Sequence, residues 1–386
     1  MEYSFDTPST ILFGAGARSR LSEELKRLAV NRALLVTDAY LLKTGLIESF
    51  ETQLRDAGIE PTVFSDVQPD PTDVNVRSGL QVLRECGADA TVAIGGGSVI
   101  DAAKITAVAV HNPGPLSAFQ GYHRIPKAGI PLVVIPTTAG TGSEATKAAV
   151  ITDTERQVKM MILDRKIMPR TSIVDYELSL TMPPSLTAHV GVDTLVHAIE
   201  AYVSKKAFGM TDTLALSCVR LTSRYLPVAY NEGSNREARE AMALAACQGG
   251  MAFNNSSVCL VHGMSRPIGA VFHLPHGLSN AVLLPAVTRF SISGATARYA
   301  RVARDMGLAS ENQPDGSACE ALVAGLEQLN AQLGVSRLRD YVRKPQEEFE
   351  KHLPKMAEDA LASGSPQNNP VVPTAEQIVE LYRQAW

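Results

Sequence analysis

The stretch ATVAIGGGSVIDAAKITAVAV, Ala90 to Val110, decides the fold class of this chain. ATVAI is short, apolar and rich in β-branched residues, as a strand buried on both faces requires. Gly95, Gly96 and Gly97 then break the strand, and the segment from Ser98 onward runs as an apolar helix. A buried strand, a glycine turn and a helix in immediate succession form the repeating unit of helix-covered parallel sheets.

Outward from this stretch the same alternation fills the first half. Ala33 to Asp38 (ALLVTD), Thr62 to Val67 (TVFSDV) and Leu132 to Thr138 (LVVIPTT) read as further strands, and LSEELKRLA and DVNVRSGLQVLRECGA as helices between them. Ligands of such sheets gather at the carboxyl ends of the strands, where Asp38, Gly95 to Ser98 and Thr137 to Gly142 fall. The pattern changes at Pro183 and Pro184, because proline restricts its predecessor and interrupts helix ladders. From Ser185 the periodicity is helical, through VDTLVHAIEAYV, REAMALAACQGGMAF and the terminal AEQIVELYRQAW, with Ser363 to Pro373 (SGSPQNNPVVP) expected as a long surface connection. The expected division is therefore an α/β domain over 1–184 with a parallel sheet and an all-helical domain over 185–386.

The composition narrows the function classes. A chain of 386 residues, 45% apolar and 20% charged with a formal charge of -4, suits two packed globular domains and lacks the basic surface that nucleic acid demands. The N-terminus has no basic leader ahead of an apolar run, and Pro131 and Pro136 interrupt the apolar stretch between them, so neither secretion nor a membrane is expected and the cytoplasm is the expected location. The 5 cysteines are widely spaced and odd in number, which gives neither a disulfide framework nor a CxxC metal knuckle.

Two glycine turns compete for the phosphates of a nucleotide. Gly14-Ala15-Gly16 lies between an extended segment and a helix, but Ser19 takes the third small position, and a simple turn explains it equally well. Gly95, Gly96, Gly97 and Ser98 form the better anion site, since the glycines let backbone amides approach a diphosphate and the helix start adds its positive end. Asp101, in the first helical turn, is suited to binding orphan amides and shaping the loop. PTTAGTGSE, Pro136 to Glu144, adds hydroxyls and amides after the next strand. Asp38 ends a strand where a carboxylate would bind ribose hydroxyls and repel a 2'-phosphate, which favours NAD(H) over NADP(H).

Metal-ligating residue types collect in the other half. Asp193 and His197 are four apart and share one helix face, and His262 and His276 follow. One carboxylate and three imidazoles suit a borderline divalent ion, Fe(II) or Zn(II), and the absence of HExxH and of cysteine pairs argues against a zincin or a structural zinc site. A metal beside a nicotinamide would stabilise an alkoxide while hydride leaves the adjacent carbon, and would polarise an aldehyde in reverse. The cleft between the two domains is where the two halves of this chemistry are expected to meet. His273 is the candidate proton relay and Phe253 a candidate pocket wall, although an ordinary loop histidine and a core aromatic account for them as well.

Together these residues resemble the iron-containing, or group III, alcohol dehydrogenases along essentially the whole chain. The resemblance rests on GGGSVIDAAK, PTTAGTGSE, GVDTLVHAIEAY and AFNNSSVCLVHGMSRPIGAVFHLPHG, in that order. It implies the two-domain architecture of dehydroquinate synthase-like folds and a metal held by Asp193, His197, His262 and His276. It also implies that Asp38, Gly96, Gly97, Ser98, Thr137, Thr138, Thr141 and Lys159 contact or organise NAD(H), and that the enzyme is a homodimer or a larger assembly. One departure is informative: many relatives carry histidine at the position of Arg266, and a guanidinium cannot act as a neutral proton relay. Arg266, and Lys147 if it points inward, are candidates for an anionic substrate group. The expected activity is NAD(H)-linked interconversion of a primary alcohol and its aldehyde. The rivals are a polyol dehydrogenase or maleylacetate-type reductase of the same fold and, in a different class, a nonenzymatic NAD-binding protein.

Overall fold

A computed structural model describes residues 2–386. Contacts divide the chain into two compact units, one over Asp6–Ser179 and the other over Leu180–Trp386 together with the N-terminal residues through Phe5.

In the first unit nine strands alternate with five α-helices. The strands are β1 (Thr10–Phe13), β2 (Arg32–Val36), β3 (Glu60–Phe64), β4 (Ala90–Gly95), β5 (Gly121–Tyr122), β6 (Leu132–Pro136), β7 (Ala148–Asp153), β8 (Val158–Leu163) and β9 (Thr171–Val174). The helices are α1 (Leu21–Arg27), α2 (Ala39–Lys43), α3 (Leu46–Asp56), α4 (Asp73–Cys86) and α5 (Gly97–Ala109). Six strands form a parallel sheet in the order β1-β9-β6-β4-β2-β3. Both faces are covered, so the central strands β4 and β6 are buried at every residue. Leu35, Val92, Ile94, Val133 and Ile135 pack toward Leu25, Phe50 and Leu54 of α1 and α3, while Leu34, Val36, Ala93 and Val134 pack toward Leu83, Ile100 and Ala103 of α4 and α5.

Two features depart from the sequence reading. The third strand begins at Glu60 and stops at Phe64, earlier than TVFSDV suggests, because Pro61 is tolerated on this edge strand, where it need not donate to a second neighbour. A second sheet, in the order β5-β8-β7, was not foreseen. It is built on an antiparallel pairing of β7 with β8, whose buried residues alternate along each strand.

The second unit is helical: α6 (Pro184–Val203), α7 (Gly209–Asn231), α8 (Arg236–Ser256), α9 (Leu260–Phe272), α10 (His276–Ser291), α11 (Thr296–Asp305), α12 (Asp315–Gln332), α13 (Leu338–Val342), α14 (Gln346–Ala362) and α15 (Ala375–Ala385). Pro184 opens α6 at its first turn, the one helical position where the missing N–H costs nothing. The Ser363 to Pro373 segment is not the surface connection that its turn-rich composition suggests. Ser365, Pro366, Asn368 and Asn369 are buried, the Asn368 amide donates to Ser257 Oγ at 3.0 Å and Val258 O at 3.1 Å, and the Asn369 amide donates to Ser291 Oγ at 2.9 Å. Side-chain amides have replaced water for these turns. Among the described residues no helix is long and apolar enough to cross a membrane.

Candidate functional site

Three helices converge their polar residues on one point. On α6, Asp193, His197 and Glu200 follow one another at steps of four and three, so all lie on one helix face. His262 sits in the first turn of α9, and α10 begins at His276, with Asn280 one turn further on. His262 Nε2 is 3.5 Å from Asp193 Oδ1, His197 Nε2 3.8 Å and His276 Nε2 3.9 Å. Ligand atoms of Asp193, His262 and His276 all lie within 4.8 Å of one another, the spacing of a cluster able to hold one ion. His197 completes the surroundings by stacking on His262 (4.6 Å between centroids) and on Phe253 (4.2 Å).

The electrostatics of this cluster favour a cation. Burial disfavours charge on Asp193, but the surrounding imidazoles outweigh it and hold the carboxyl well below its usual range. Burial lowers the basicity of His262, yet hydrogen bonds with Asp193 and Glu200 raise it further than burial lowers it. His276 is pushed down by desolvation, helped by the charges of His262, His197 and Arg266 and opposed by Asp193. Its ring keeps 42% of its surface accessible, so the desolvation belongs to the edge turned into the cluster. A divalent ion would displace any proton on the inward nitrogens and pair with the ionised Asp193.

Glu200 and Asn280 belong to the site although the sequence reading passed over them. Glu200 accepts from the amides of Cys259 (2.8 Å) and Val261 (2.6 Å), and its Oε2 lies 2.7 Å from His262 Nδ1. A carboxylate there fixes the proton on Nδ1 and turns the Nε2 lone pair inward, as a metal ligand needs. The available signal was its place on the Asp193–His197 helix face. Asn280 is fully buried and donates to Asp193 Oδ1 at 2.6 Å.

The residues expected to meet the substrate are spread over both units. Phe253 lies against the His197 ring. His273 is the exposed C-cap of α9, at φ 55°. Arg266, one turn after His262 on α9, donates from Nη1 to Ser365 Oγ at 2.9 Å. Lys147 lies in the other unit, where its ammonium pairs with Asp6 at 2.6 Å, a carboxylate it shares with Arg165 at 2.9 Å.

In the α/β unit, β4 ends at Gly95, Gly96 caps α5 and Gly97 opens it. A Cβ on Gly97 would stand 2.9 Å from Thr141 Cγ2, so the glycine loop and the Thr137–Thr146 segment touch at a point where only glycine fits. The Thr137 amide donates to Gly95 O at 3.0 Å. Asp101 ties these loops together by accepting from Ser143 Oγ (2.6 Å) and the Val150 amide (2.9 Å), rather than by binding orphan amides of its own helix. Below it, fully buried Lys104 donates to Ser143 O, Ser143 Oγ, Thr146 Oγ1 and Ala148 O at 2.7 to 3.0 Å. Burial lowers its pKa to about 8 against the pull of Asp101 and Glu144, and burial raises that of Glu144 to about 7. Asp38 caps α2 by accepting from the Leu41 amide at 2.9 Å, and Lys159, on β8, pairs with Asp70 at 2.8 Å. The rival turn at Gly14–Gly16 is occupied by protein: Asp175 accepts from the amides of Gly16 and Arg18, both at 3.2 Å, and from the Arg18 guanidinium. A carboxylate already fills the place where a phosphate would bind.

One carboxylate oxygen and inward-facing imidazole nitrogens fit a borderline divalent ion. With a glycine-cradled helix start in a parallel α/β sheet, they define a metal-dependent, nucleotide-linked oxidoreductase. Residues 8–176 match the model of the iron-containing alcohol dehydrogenases, and residues 187–386 that of the C-terminal part of the Fe-containing alcohol dehydrogenase family. The chain belongs to that family. It is 39% identical to the NAD-dependent methanol dehydrogenase of Bacillus methanolicus, covering 99% of each chain. It is also 39% identical to the 1,3-propanediol dehydrogenase of Citrobacter freundii, over 100% of this chain and 99% of that one. A crystal structure of 1,3-propanediol oxidoreductase superposes with a TM-score of 0.96 at 38% identity over 100% of both chains. As a member, the protein is an iron-dependent, NAD(H)-linked oxidoreductase of small alcohols and aldehydes.

Proposed function

We propose that this enzyme interconverts a short hydroxyaldehyde and the corresponding diol with NAD(H), which moves the assignment from simple primary alcohols to the polyol alternative. The observation that carries this reading is the end-to-end similarity to 1,3-propanediol dehydrogenases in sequence and in structure. Iron at the cluster would supply a Lewis acid for the carbonyl or alkoxide oxygen. Asp193, His197, His262 and His276 would hold it, with Glu200 fixing the His262 tautomer. Gly95 to Ser98, Asp101, Thr137, Thr138, Thr141, Lys159 and Asp38 would seat and orient the dinucleotide, Asp38 setting the preference for NAD(H) over NADP(H). Reduction consumes one aldehyde, one hydride from NADH and one proton, and His273 or solvent would deliver the proton. Arg266, whose charge reaches His276, would donate to the distal oxygen of the substrate, and Phe253 would wall the pocket. A homodimer and a cytoplasmic location are part of the same proposal.

The test is anaerobic NADH oxidation by apoprotein reconstituted with Fe(II) or Zn(II), with propanal, 3-hydroxypropanal and 3-oxopropanoate as matched three-carbon substrates. A hydrogen bond from a charged group to the distal hydroxyl should give 3-hydroxypropanal about a tenfold higher kcat/KM than propanal, and Arg266→Ala should erase the difference. Equal rates on the two neutral aldehydes would return the assignment to simple alcohols. Preference for 3-oxopropanoate would make Arg266 a carboxylate receptor and move the assignment to the maleylacetate-type reductase alternative. The same assay with NADPH reads the proposed role of Asp38.

A further inference from the structure

Asn280 has bonding that packing alone does not explain. Its side-chain nitrogen lies 2.6 Å from Asp193 Oδ1, 3.2 Å from His262 Nε2 and 3.2 Å from His276 Nε2, so one amide faces three ligand atoms of the cluster. Its Oδ1 is buried and accepts no hydrogen bond. An unsatisfied buried carbonyl costs free energy. The opposite amide orientation would cost more, because it would set Oδ1 against the ionised Asp193 oxygen. The orientation is therefore dictated by the acceptors of the cluster. In the neutral His262 that a metal ligand must be, Glu200 holds the proton on Nδ1 and Nε2 offers a lone pair, so the two N–H groups of Asn280 serve the Asp193 oxygen and the imidazole nitrogens of His262 and His276.

We propose that Asn280 is a positioning residue of the metal centre, whose amide gathers Asp193, His262 and His276 into a ligand-ready arrangement before an ion enters. The inference rests on the metal reading of the site but not on the substrate. Side chains that orient metal ligands typically contribute about 10- to 100-fold to affinity.

Asn280→Leu keeps the branched shape and removes both donors. Chelator-stripped protein is titrated with Zn(II) against a chromophoric competitor, and with Co(II), whose absorption reports the ligand arrangement. The Leu variant should bind Zn(II) about 10- to 100-fold more weakly and give an altered Co(II) spectrum, with NADH binding retained. Affinity within twofold of wild type, or tighter, would overturn the proposal. Asn280→Asp covers the case in which the Leu variant does not fold. A carboxylate facing Asp193 should lower the Tm of the metal-free protein and make the Zn(II)-induced rise in Tm larger than in wild type, and an unchanged rise would overturn the proposal. Wild-type protein that takes up neither ion would overturn this role and the metal reading together. Normal uptake with an indifferent Leu variant would overturn this role alone.

Discussion

In the helical unit the candidate ligands and the groups that orient them are all side chains on regular helices: Asp193, His197 and Glu200 on α6, His262 on α9, His276 and Asn280 on α10. In the α/β unit the candidate phosphate cradle is mostly backbone, Gly95 to Gly97, and side chains such as Asp101 and Lys104 lie behind it to hold its shape. The difference follows from the ligands. A small cation needs a few lone pairs fixed to within fractions of an ångström, which rotamers locked by packing supply. A diphosphate spreads its charge over many oxygens and is met by amides at a helix start. Changes in the first region should therefore act on metal and turnover, and changes in the second on cofactor affinity.

The largest expected effect is that of His262→Ala. Losing the metal's several kcal/mol of charge stabilisation should cut turnover on the order of a thousandfold, and NADH affinity, followed by fluorescence, should hardly move. A parallel loss of NADH binding would break the separation of the two regions. Lys104→Met tests the converse. It removes the ammonium that fastens Ser143, Thr146 and Ala148, and should weaken NADH binding about tenfold while bound metal, measured by elemental analysis, stays at the wild-type level. Unchanged NADH affinity would mean that the loops keep their shape without it.

Glu144 gives the smallest effect and a pH signature. Burial lifts its folded pKa from the ordinary 4.5 to about 7, so between these values the folded state holds more protons than the unfolded one. Stability from this group is complete below the lower value and is lost as pH rises through the upper one. Glu144→Gln should thus raise Tm by a few degrees at pH 8, on the order of a kcal/mol or more, with little change at pH 4. A Tm difference independent of pH would show that Glu144 titrates normally.

Some of this was legible residue by residue. The spacing of Asp193 and His197 needs only helix geometry, and the run ATVAIGGG needs only the rule that strands covered on both faces are apolar throughout. Glu200 stood on the same helix face and was readable, but a glutamate on a helix usually solvates a surface, and only the approach of α9 puts two amides and an imidazole against it. Ser363 to Pro373 misled because turn residues mark where the chain bends and not whether another element will cover the bend. The β7–β8 pairing was not legible because both strands mix apolar residues with polar ones such as Thr152, Asp153 and Lys159, and only their antiparallel register buries alternate positions.

Periodicity and groups local in the chain were enough to give the class of fold, the two regions of chemistry and the residue types suited to a cation and to a diphosphate. Only the tertiary fold closes the Gly14–Gly16 turn, by sending Asp175 into it from more than 150 residues away. It likewise decided that Lys147 and Arg165 share Asp6 and that Asn280 faces Asp193, His262 and His276 at once. A hydrogen bond reaches about 3 Å whatever the separation along the chain, so partners brought in by the packing of distant elements leave no local mark in the sequence.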